Sequence, residues 1–304
     1  MYRAEATKGE NAIDSSDAGK IERQADRVEE STTPPTPVIY ETVQRNGEEE
    51  MSRPLWSLAW SGVAAGLSIS FSLFAQATLR QYRPEAPWRE LVAALGYPVG
   101  FVMVVLARQQ LFTENTITVI LPLMAEPTRK NFGCAARLWG IVLCANLVGT
   151  GLAAAFCALT PALDPALLEQ MHIISRHAMA YDFWPMLVRG IGAGFLMAAM
   201  VWLLPGAGPA QFHVIVMMTW LIGAGGLAHI VAGSFEAYLL LLNGEMGWSS
   251  ALTGFALPAL VGNIIGGSVL FAMMAYAQVR HEIEANPATP RPSATQDPQK
   301  ESYR

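Results

Sequence analysis

One histidine, His229, lies deep in an apolar stretch of the chain, where its imidazole could exchange protons or bind an anion. An imidazole inside a bilayer is costly unless it is hydrogen-bonded or hydrated. A neutral imidazole still donates a hydrogen bond to an anion and passes protons. The position predicts either a residue of a solute path or a core histidine that holds a loop together. The other histidines fall in loops or at segment ends, where we expect them to be solvated: His172, His177, His213 and His281.

Four charged side chains fall at nominal membrane depth: Arg108, Glu114, Arg189 and Glu236. Charged residues are expensive there and tend to pair. Two arginines and two glutamates allow complete pairing, which favours intramembrane ion pairs that lock two loops. In the alternative, Arg108 attracts anions and Glu236 is a proton partner of His229, because a spacing of seven residues places both on one helix face.

Thr113 lies in a polar interruption formed by residues 108–116, and its hydroxyl could be offered to a permeating anion. The alternative is an N-cap for a helix that begins near Thr116, which is a common use of threonine or asparagine. Asn115 and Thr116 compete for that capping role.

Six apolar segments are long enough to cross a bilayer, since a spanning helix needs about 20 apolar residues. Two are interrupted near their middle, by residues 108–116 and by residues 223–229. Irregular backbone is tolerated at that depth only where it is buried in protein or lines a cavity. Paired interruptions in two halves of a membrane protein therefore indicate a transport site. The segments run near Leu58–Leu79, Leu91–Met124, Leu138–Leu159, Phe183–Leu204, Phe212–Leu242 and Ala251–Ala277.

The two groups of three segments resemble each other. Residues 146–149 (Asn-Leu-Val-Gly) and 263–266 (Asn-Ile-Ile-Gly) each follow an interrupted segment. Small residues at helical spacing let backbones pack closely in lipid. Because three is odd, the two copies have opposite orientations. The pattern predicts an all-α membrane protein with six transmembrane helices, arranged as a 3+3 inverted repeat with two broken helices.

The composition excludes several classes of protein. The 304 residues are 52% hydrophobic with a mean hydropathy of +0.29, in blocks that are unusual for a soluble domain. The net charge of -5, without a basic stripe, gives no indication of a nucleic-acid partner. Cys134, Cys144 and Cys157 are expected to be small buried residues without a metal-binding spacing. No phosphate loop or nucleophile motif is present, so we expect no enzyme, cofactor or metal.

The chain divides into three parts. Residues 1–53 are acidic and contain prolines, which predicts a disordered cytoplasmic tail or a loose helix around Ile21–Glu30. Residues 54–280 form the six-helix channel domain, and residues 281–304 form a second polar cytoplasmic tail. No secretory signal is recognised at the start. Lys and Arg residues after the second segment, at positions 129–137, modestly favour cytoplasmic termini.

Three motifs resemble the formate/nitrite transporter (FNT) family of pentameric anion channels, in its YfdC-type branch of bacterial inner-membrane members. They are residues 111–113 (Leu-Phe-Thr), 229–232 (His-Ile-Val-Ala) and 262–267 (Gly-Asn-Ile-Ile-Gly-Gly), and the likeness extends from Leu55 to Arg280. The resemblance implies an aquaporin-like fold with one pore per protomer. It also implies a central histidine between two apolar constrictions, with a threonine beside it.

By motif match the central histidine is His229, the threonine is Thr113, and Leu111 lies at a constriction. The chain departs from the family pattern at two places. Residues 232–234 are Ala-Gly-Ser where the family usually has Ala-Asn-Met. Gly194 stands where the family commonly has an asparagine that hydrogen-bonds the histidine.

The resemblance implies transport of small monovalent anions, formate-like or nitrite-like weak acids, with proton transfer at or near the central histidine. The implied setting is a homo-oligomer, a pentamer, surrounded by lipid in a bacterial inner membrane. Two alternatives stay open. One is an aquaporin-like channel for neutral solutes, although the paired Asn-Pro-Ala loops of that family are absent. The other is a non-conducting membrane scaffold or sensor, which the long polar termini would favour.

Overall fold

The computed structural model describes residues 34–285, which form helices joined by short loops. The first half contains α1 (Thr36–Ser52), α2 (Leu55–Ile69), α3 (Phe71–Gln81), α4 (Arg89–Ala93), a 3-10 turn (Ala94–Gly96), α5 (Pro98–Leu106), α6 (Phe112–Thr118), α7 (Ile120–Ala125) and α8 (Arg129–Leu159). The second half contains α9 (Pro165–Ala178), α10 (Phe183–Leu203), two 3-10 turns (Leu204–Gly206 and Gly208–Ala210), α11 (Gln211–Ala224), α12 (Ile230–Leu242), a π-helical segment (Ser250–Ala256), α13 (Leu257–Ile264), a second π-helical segment (Ile265–Ala272) and α14 (Met273–Ala285).

Among the described residues, five helical stretches are long and apolar enough to cross a membrane: Leu55–Gln81, Arg89–Leu106, Arg129–Leu159, Phe183–Gly206 and Ser250–Arg280. Two shorter apolar helices, Gly208–Ala224 and Ile230–Leu242, together correspond to the fifth predicted segment, Phe212–Leu242. The described part of the chain contains no β-strand. The all-α architecture with six membrane segments is confirmed.

Both predicted interruptions are breaks in the helix, and their backbones match. The first half-helix of each pair ends two positions before a residue with positive φ, Arg108 (50°) or Gly226 (58°). Three positions later an extended residue, Leu111 or His229, precedes the second half-helix. Leu111 and His229 therefore occupy equivalent places in the two repeats, 118 positions apart.

The first break is held by Asn146 of α8, which is fully buried. Its Oδ1 accepts a hydrogen bond from Phe112 N–H (2.9 Å), the first residue of α6. Its Nδ2 donates to the carbonyl oxygens of Gln110 (2.8 Å) and Gly62 (2.8 Å). One amide side chain thus pairs three main-chain groups, two at the helix break and one on α2.

The second break is held in the same way by Asn263 of α13. Its Oδ1 accepts from Ile230 N–H (2.9 Å), and its Nδ2 donates to the carbonyl oxygens of Ala228 (2.8 Å) and Gly190 (2.9 Å). Each partner of Asn263 corresponds to a partner of Asn146. In both repeats the partners are the first residue of the second half-helix, the residue two positions before it, and a glycine on a neighbouring helix. The inverted repeat is therefore visible in individual hydrogen bonds.

Glycines allow the helices that carry these asparagines to approach closely. A Cβ atom added to Gly66 of α2 would lie 2.3 Å from the carbonyl oxygen of Asn146. A Cβ added to Gly262 of α13 would lie 2.4 Å from the carbonyl oxygen of Leu187 in α10. Such close contacts need a residue without a side chain, as in other small-residue interfaces between membrane helices.

The prediction of a disordered tail up to residue 53 is wrong for residues 36–52, which form α1. Tyr40, Val43 and Met51 of α1 are buried against the bundle. The Tyr40 ring contacts the rings of Trp202 and Tyr276. Apolar residues at helical spacing outweigh the acidic composition, so this segment folds onto the protein. Residues 1–33 and 286–304, including the helix considered around Ile21–Glu30, lie outside the described residues, and α14 continues five positions beyond residue 280.

A further helix, α9, fills the connection between the two repeats, and its N-terminus is capped by Asp164. His172 on this helix is buried rather than solvated as expected, because the face that carries His172 and Ser175 packs onto the bundle. The expectation of buried cysteines is also incorrect in part. Cys144 is exposed on the outer face, whereas Cys134 and Cys157 are half-buried.

We predict that Asn146→Leu or Asn263→Leu lowers the free energy of unfolding by about 3 kcal/mol or more. Each change leaves the two buried main-chain groups at the break without partners, and each such group costs about 1–3 kcal/mol. Thermal unfolding of the purified protein in detergent measures the effect. Gly133→Ala in α8, where an added Cβ meets nothing within 4 Å, is the control and should leave the midpoint unchanged or slightly higher. An unchanged midpoint for either asparagine variant would contradict the role given to these residues.

Candidate functional site

A cavity of about 530 Å³ opens on the side of the bundle that carries α9 and reaches the second helix break. Its wall includes His177 of α9, Arg189 of α10, and His229, Gly233 and Glu236. The first turns of the second half-helix α12 therefore form part of the cavity wall, with the largely buried histidine at their start. This places the sequence-predicted histidine beside a cavity rather than in a closed core.

Two hydrogen bonds fix His229. Its Nδ1 accepts from the main-chain N–H of Ala232 (3.1 Å), as in an N-cap, so Nδ1 carries no proton. The neutral ring must then carry its proton on Nε2, which lies 2.7 Å from the hydroxyl of Thr113. The edge of the imidazole packs against Phe101, with ring centroids 5.0 Å apart at 85°. His229 is a donor to Thr113, and the Thr113 hydroxyl proton stays available for another acceptor.

The capping role considered for Thr113 is wrong, because α6 begins earlier than expected. Its first residue is Phe112, and Leu111 occupies the N-cap position without a side-chain hydrogen bond. The hydroxyl of Thr116 donates to the carbonyl oxygen of Thr113 (2.7 Å). The side chain of Thr113 is thereby left to face His229 across the meeting point of the two breaks.

The structure also explains the glycine at position 194. A Cβ added there would lie 2.2 Å from the carbonyl oxygen of Asn263, so the backbone leaves no room for a side chain. His229 takes its partners from Thr113 and from its own helix instead. Close packing around the asparagine that holds the break thus excludes a second asparagine beside the histidine.

Leu111 is fully buried at the position equivalent to His229, and Phe101 and Thr113 are fully buried near it. In this conformation no open channel passes along these three side chains. Leu111 and Phe101 both belong to the main buried apolar cluster, and the two side chains are referred to together as the apolar ring.

The expected ion pairs among the four charged residues do not form. The Arg189 guanidinium donates to the carbonyl oxygen of Gly226 (2.6 Å) and lies 3.7 Å above the ring of Tyr181. Such a cation–π contact is an alternative to pairing with a carboxylate. Glu236 lines the cavity with 8% of its surface exposed. The number of charges allowed pairing, but the side chains point to different surroundings.

The other two charged residues are also without an ion pair among the described residues. Arg108 is exposed on the outer face of the first break. Glu114 has a buried Oε1 without a hydrogen-bond partner. Neither residue reaches the second break, so a lock between the two loops is excluded for them.

A carboxylate that belongs to none of the sequence motifs, Glu50, contacts the first break from the α1 side. Glu50 of α1 accepts hydrogen bonds from Gln110 Nε2 (3.2 Å), Asn115 Nδ2 (2.9 Å) and Thr118 Oγ1 (2.7 Å). Burial raises the pKa of Glu50, and these hydrogen bonds together with the charge of Arg53 oppose that shift. The only signal for this contact in the sequence is that one face of α1 is apolar. That face packs on the bundle and brings Glu50 to the first break.

An ion pair ties α9 to the loop after α12 near the mouth of the cavity. Arg176 of α9 is hydrogen-bonded to Glu245 and, at 3.0 Å, to Glu169. The hydrogen bonds from Arg176 lower the pKa of Glu245 to about 2. A lowered pKa means that the interaction persists above the ordinary carboxyl range and is lost only as the pH falls toward 2. The contact between α9 and the loop after α12 therefore keeps this ion pair at neutral and mildly acidic pH.

Comparison with known proteins agrees with the geometry. The family described as "Formate/nitrite transporter" matches residues 37–277. The inner membrane protein YfdC of Escherichia coli (strain K12) is 42% identical over 264 residues, which cover 87% of this chain and 84% of that protein. The formate channel BtFdhC of Bacillus thuringiensis is 26% identical over 254 residues, 80% of this chain and 95% of that one.

Two solved structures have a similar fold. A pentameric formate channel with formate bound gives a TM-score of 0.64 at 18% identity, over 75% of this chain and 98% of that chain. A structure described as an FNT family ion channel gives a TM-score of 0.69 at 18% identity, over 79% and 98%. Since the family match covers most of the sequence, this chain belongs to the formate/nitrite transporter family.

Proposed function

We propose that this protein transports small monovalent anions, formate-like or nitrite-like weak acids, through a pore in each protomer. The observation that carries the proposal is the hydrogen bond between His229 Nε2 and the Thr113 hydroxyl at the meeting point of two broken helices, next to the cavity. Membership of the formate/nitrite transporter family and a relative named as a formate channel support the same substrate class.

The proposed mechanism solves the problem of moving a charge past apolar side chains. An anion in the cavity accepts a hydrogen bond from the Thr113 hydroxyl, which His229 Nε2–H holds in place. Leaving water disfavours the charged form of a weak acid, so the anion binds a proton more readily as it advances. A proton taken up at or near His229 lets the solute pass the apolar ring of Leu111 and Phe101 as the neutral acid.

The proposed assembly is a homo-oligomer, and we favour a pentamer. Within one chain, Arg108 of the first break is exposed on the outer face, whereas the exposed Gly225 and Gly226 of the second break line the cavity. Irregular backbone facing lipid at that depth would leave polar groups unpaired, so protein must cover it. A neighbouring copy of the chain supplies such a cover, and one structural relative is a pentameric formate channel.

The proposed location is a bacterial inner membrane with both termini in the cytoplasm. The relative with 42% identity is an inner membrane protein. Basic residues at positions 129–137 lie on the same side of the bundle as α1, and an excess of basic residues favours the cytoplasmic side. In this orientation α1 faces the cytoplasm, the cavity opens to the opposite side, and the channel domain extends from about residue 54 to residue 280.

We predict that His229→Ala and Thr113→Val each lower formate uptake into proteoliposomes about tenfold or more, whereas Thr113→Ser retains most of it. A hydrogen bond to a charged group contributes about 1.5–3 kcal/mol, and only serine keeps the hydroxyl. The wild type should carry formate and nitrite in a panel with acetate, lactate, hydrosulfide and glycerol. His213→Ala, at an exposed histidine, is the control and should be unaffected. Glycerol flux without anion flux would favour the neutral-solute alternative.

We also predict that uptake rises as the external pH falls from about 8 to about 4, because proton uptake accompanies the anion on its way through the apolar ring. Initial rates at fixed formate concentration and matched internal buffer measure this. The Arg176–Glu245 pair remains ionised over this range, so its loss does not explain such a rise. A rate independent of pH would rule out proton linkage while leaving anion conduction intact.

A further inference from the structure

Three hydrogen-bond donors of the first broken helix converge on one carboxylate. Gln110 Nε2, Asn115 Nδ2 and Thr118 Oγ1 lie 2.7–3.2 Å from the two oxygens of Glu50. Gln110, Asn115 and Thr118 are each at least nine-tenths buried. Glu50 comes from α1, outside the membrane-spanning helices, and is separated from these donors by 60 to 68 positions in the sequence. These three donors thus bind the carboxylate of a side chain that comes from another part of the protein.

The inverted repeat shows where this group lies relative to the solute path. The register that equates Leu111 with His229 equates Gln110 with Ala228. It likewise equates Asn115 with Gly233, and Thr118 with Glu236. Ala228, Gly233 and Glu236 all line the open cavity.

The helices that precede each repeat correspond as well, since α1 leads into the first repeat and α9 into the second. Around the second break, α9 forms part of the cavity wall and leaves the space open. Around the first break, α1 places the Glu50 carboxylate in the equivalent position. By this correspondence, the first break holds the Glu50 carboxylate where the second break has open space.

We propose that Gln110, Asn115 and Thr118 form a carboxylate-binding subsite on the solute path, which takes small monocarboxylates, and that Glu50 occupies it as a tethered competitor. The proposal rests on the proposed transport function and deepens it. A permeating carboxylate meets the same three donors once α1 has moved away. While Glu50 is bound, the path on the α1 side is closed.

The attachment of α1 provides an independent way to vacate the subsite. A Cβ added to Gly47 would lie 1.8 Å from the carbonyl oxygen of Thr118, so α1 can seat here only with glycine at this position. Pro54, with extended backbone, separates α1 from α2 and permits α1 to reorient without unwinding the membrane helix. Gly47→Val should therefore displace α1 while leaving Glu50 and the three donors chemically unchanged.

The test is formate uptake into proteoliposomes by the full chain, with oligomeric assembly checked by size-exclusion chromatography. Glu50→Ala and Gly47→Val should each raise the initial rate about tenfold, the effect of losing about one hydrogen bond to a charged group. Glu49→Gln, at the exposed neighbouring glutamate, is the matched control and should match the wild type. In the Glu50→Ala background, Asn115→Leu or Thr118→Val should raise the formate concentration needed for half-maximal uptake several-fold.

The outcomes separate this inference from the proposed function. Rates unchanged by Glu50→Ala and Gly47→Val, with uptake still abolished by His229→Ala, would overturn the subsite and leave anion transport standing. Faster uptake in those two variants with no dependence on Asn115 or Thr118 would leave α1 as a steric plug and overturn the carboxylate subsite. If neither the wild type nor Glu50→Ala carries any anion, the proposed function fails and the inference fails with it.

Discussion

The protein depends on two buried asparagines that stabilise broken helices inside a membrane. A helix that stops at mid-depth leaves N–H and C=O groups without partners, and lipid offers none. Asn146 and Asn263 each supply two donors and one acceptor, all used on the main chain. Because these bonds join the break to a neighbouring helix as well, each break is anchored in a fixed position. Everything at the centre of the protein follows from that anchoring.

The two breaks have the same backbone but different side chains, and the difference explains the site. The residue that precedes each second half-helix is Leu111 in one repeat and His229 in the other. One side chain is apolar and fully buried, and the other is hydrogen-bonded to Thr113 and to the main chain of its own helix. Thr113 joins them by facing the imidazole across the repeat interface. A symmetric scaffold thereby produces an asymmetric centre, with a cavity on one side and a seated acidic side chain on the other.

Local sequence patterns predicted the two helix breaks, the internal repeat and the position of the histidine, because each of these features is encoded within a few neighbouring residues. An apolar stretch too long for one helix, a polar interruption and an Asn-x-x-Gly motif are all readable in this way. The contact of Glu50 with the first break is not, since it joins positions 60 to 68 residues apart through a helix with an acidic composition. The expected ion pairs at membrane depth do not form, for a related reason. The number of charged residues does not determine where each side chain points. The Arg189 side chain binds a carbonyl oxygen and an aromatic ring instead of a carboxylate.

The central claim is that the permeating anion accepts a hydrogen bond from the Thr113 hydroxyl, which the His229 imidazole holds in place. Nitrogen-15 NMR of histidine-labelled protein in lipid nanodiscs tests it most directly, with formate added stepwise. The account predicts that the His229 Nε2–H resonance shifts with added formate until the shift saturates, and that this shift is lost in Thr113→Val. The resonances of the exposed His213 should not respond. A His229 resonance that stays unchanged at formate concentrations that support uptake would contradict it.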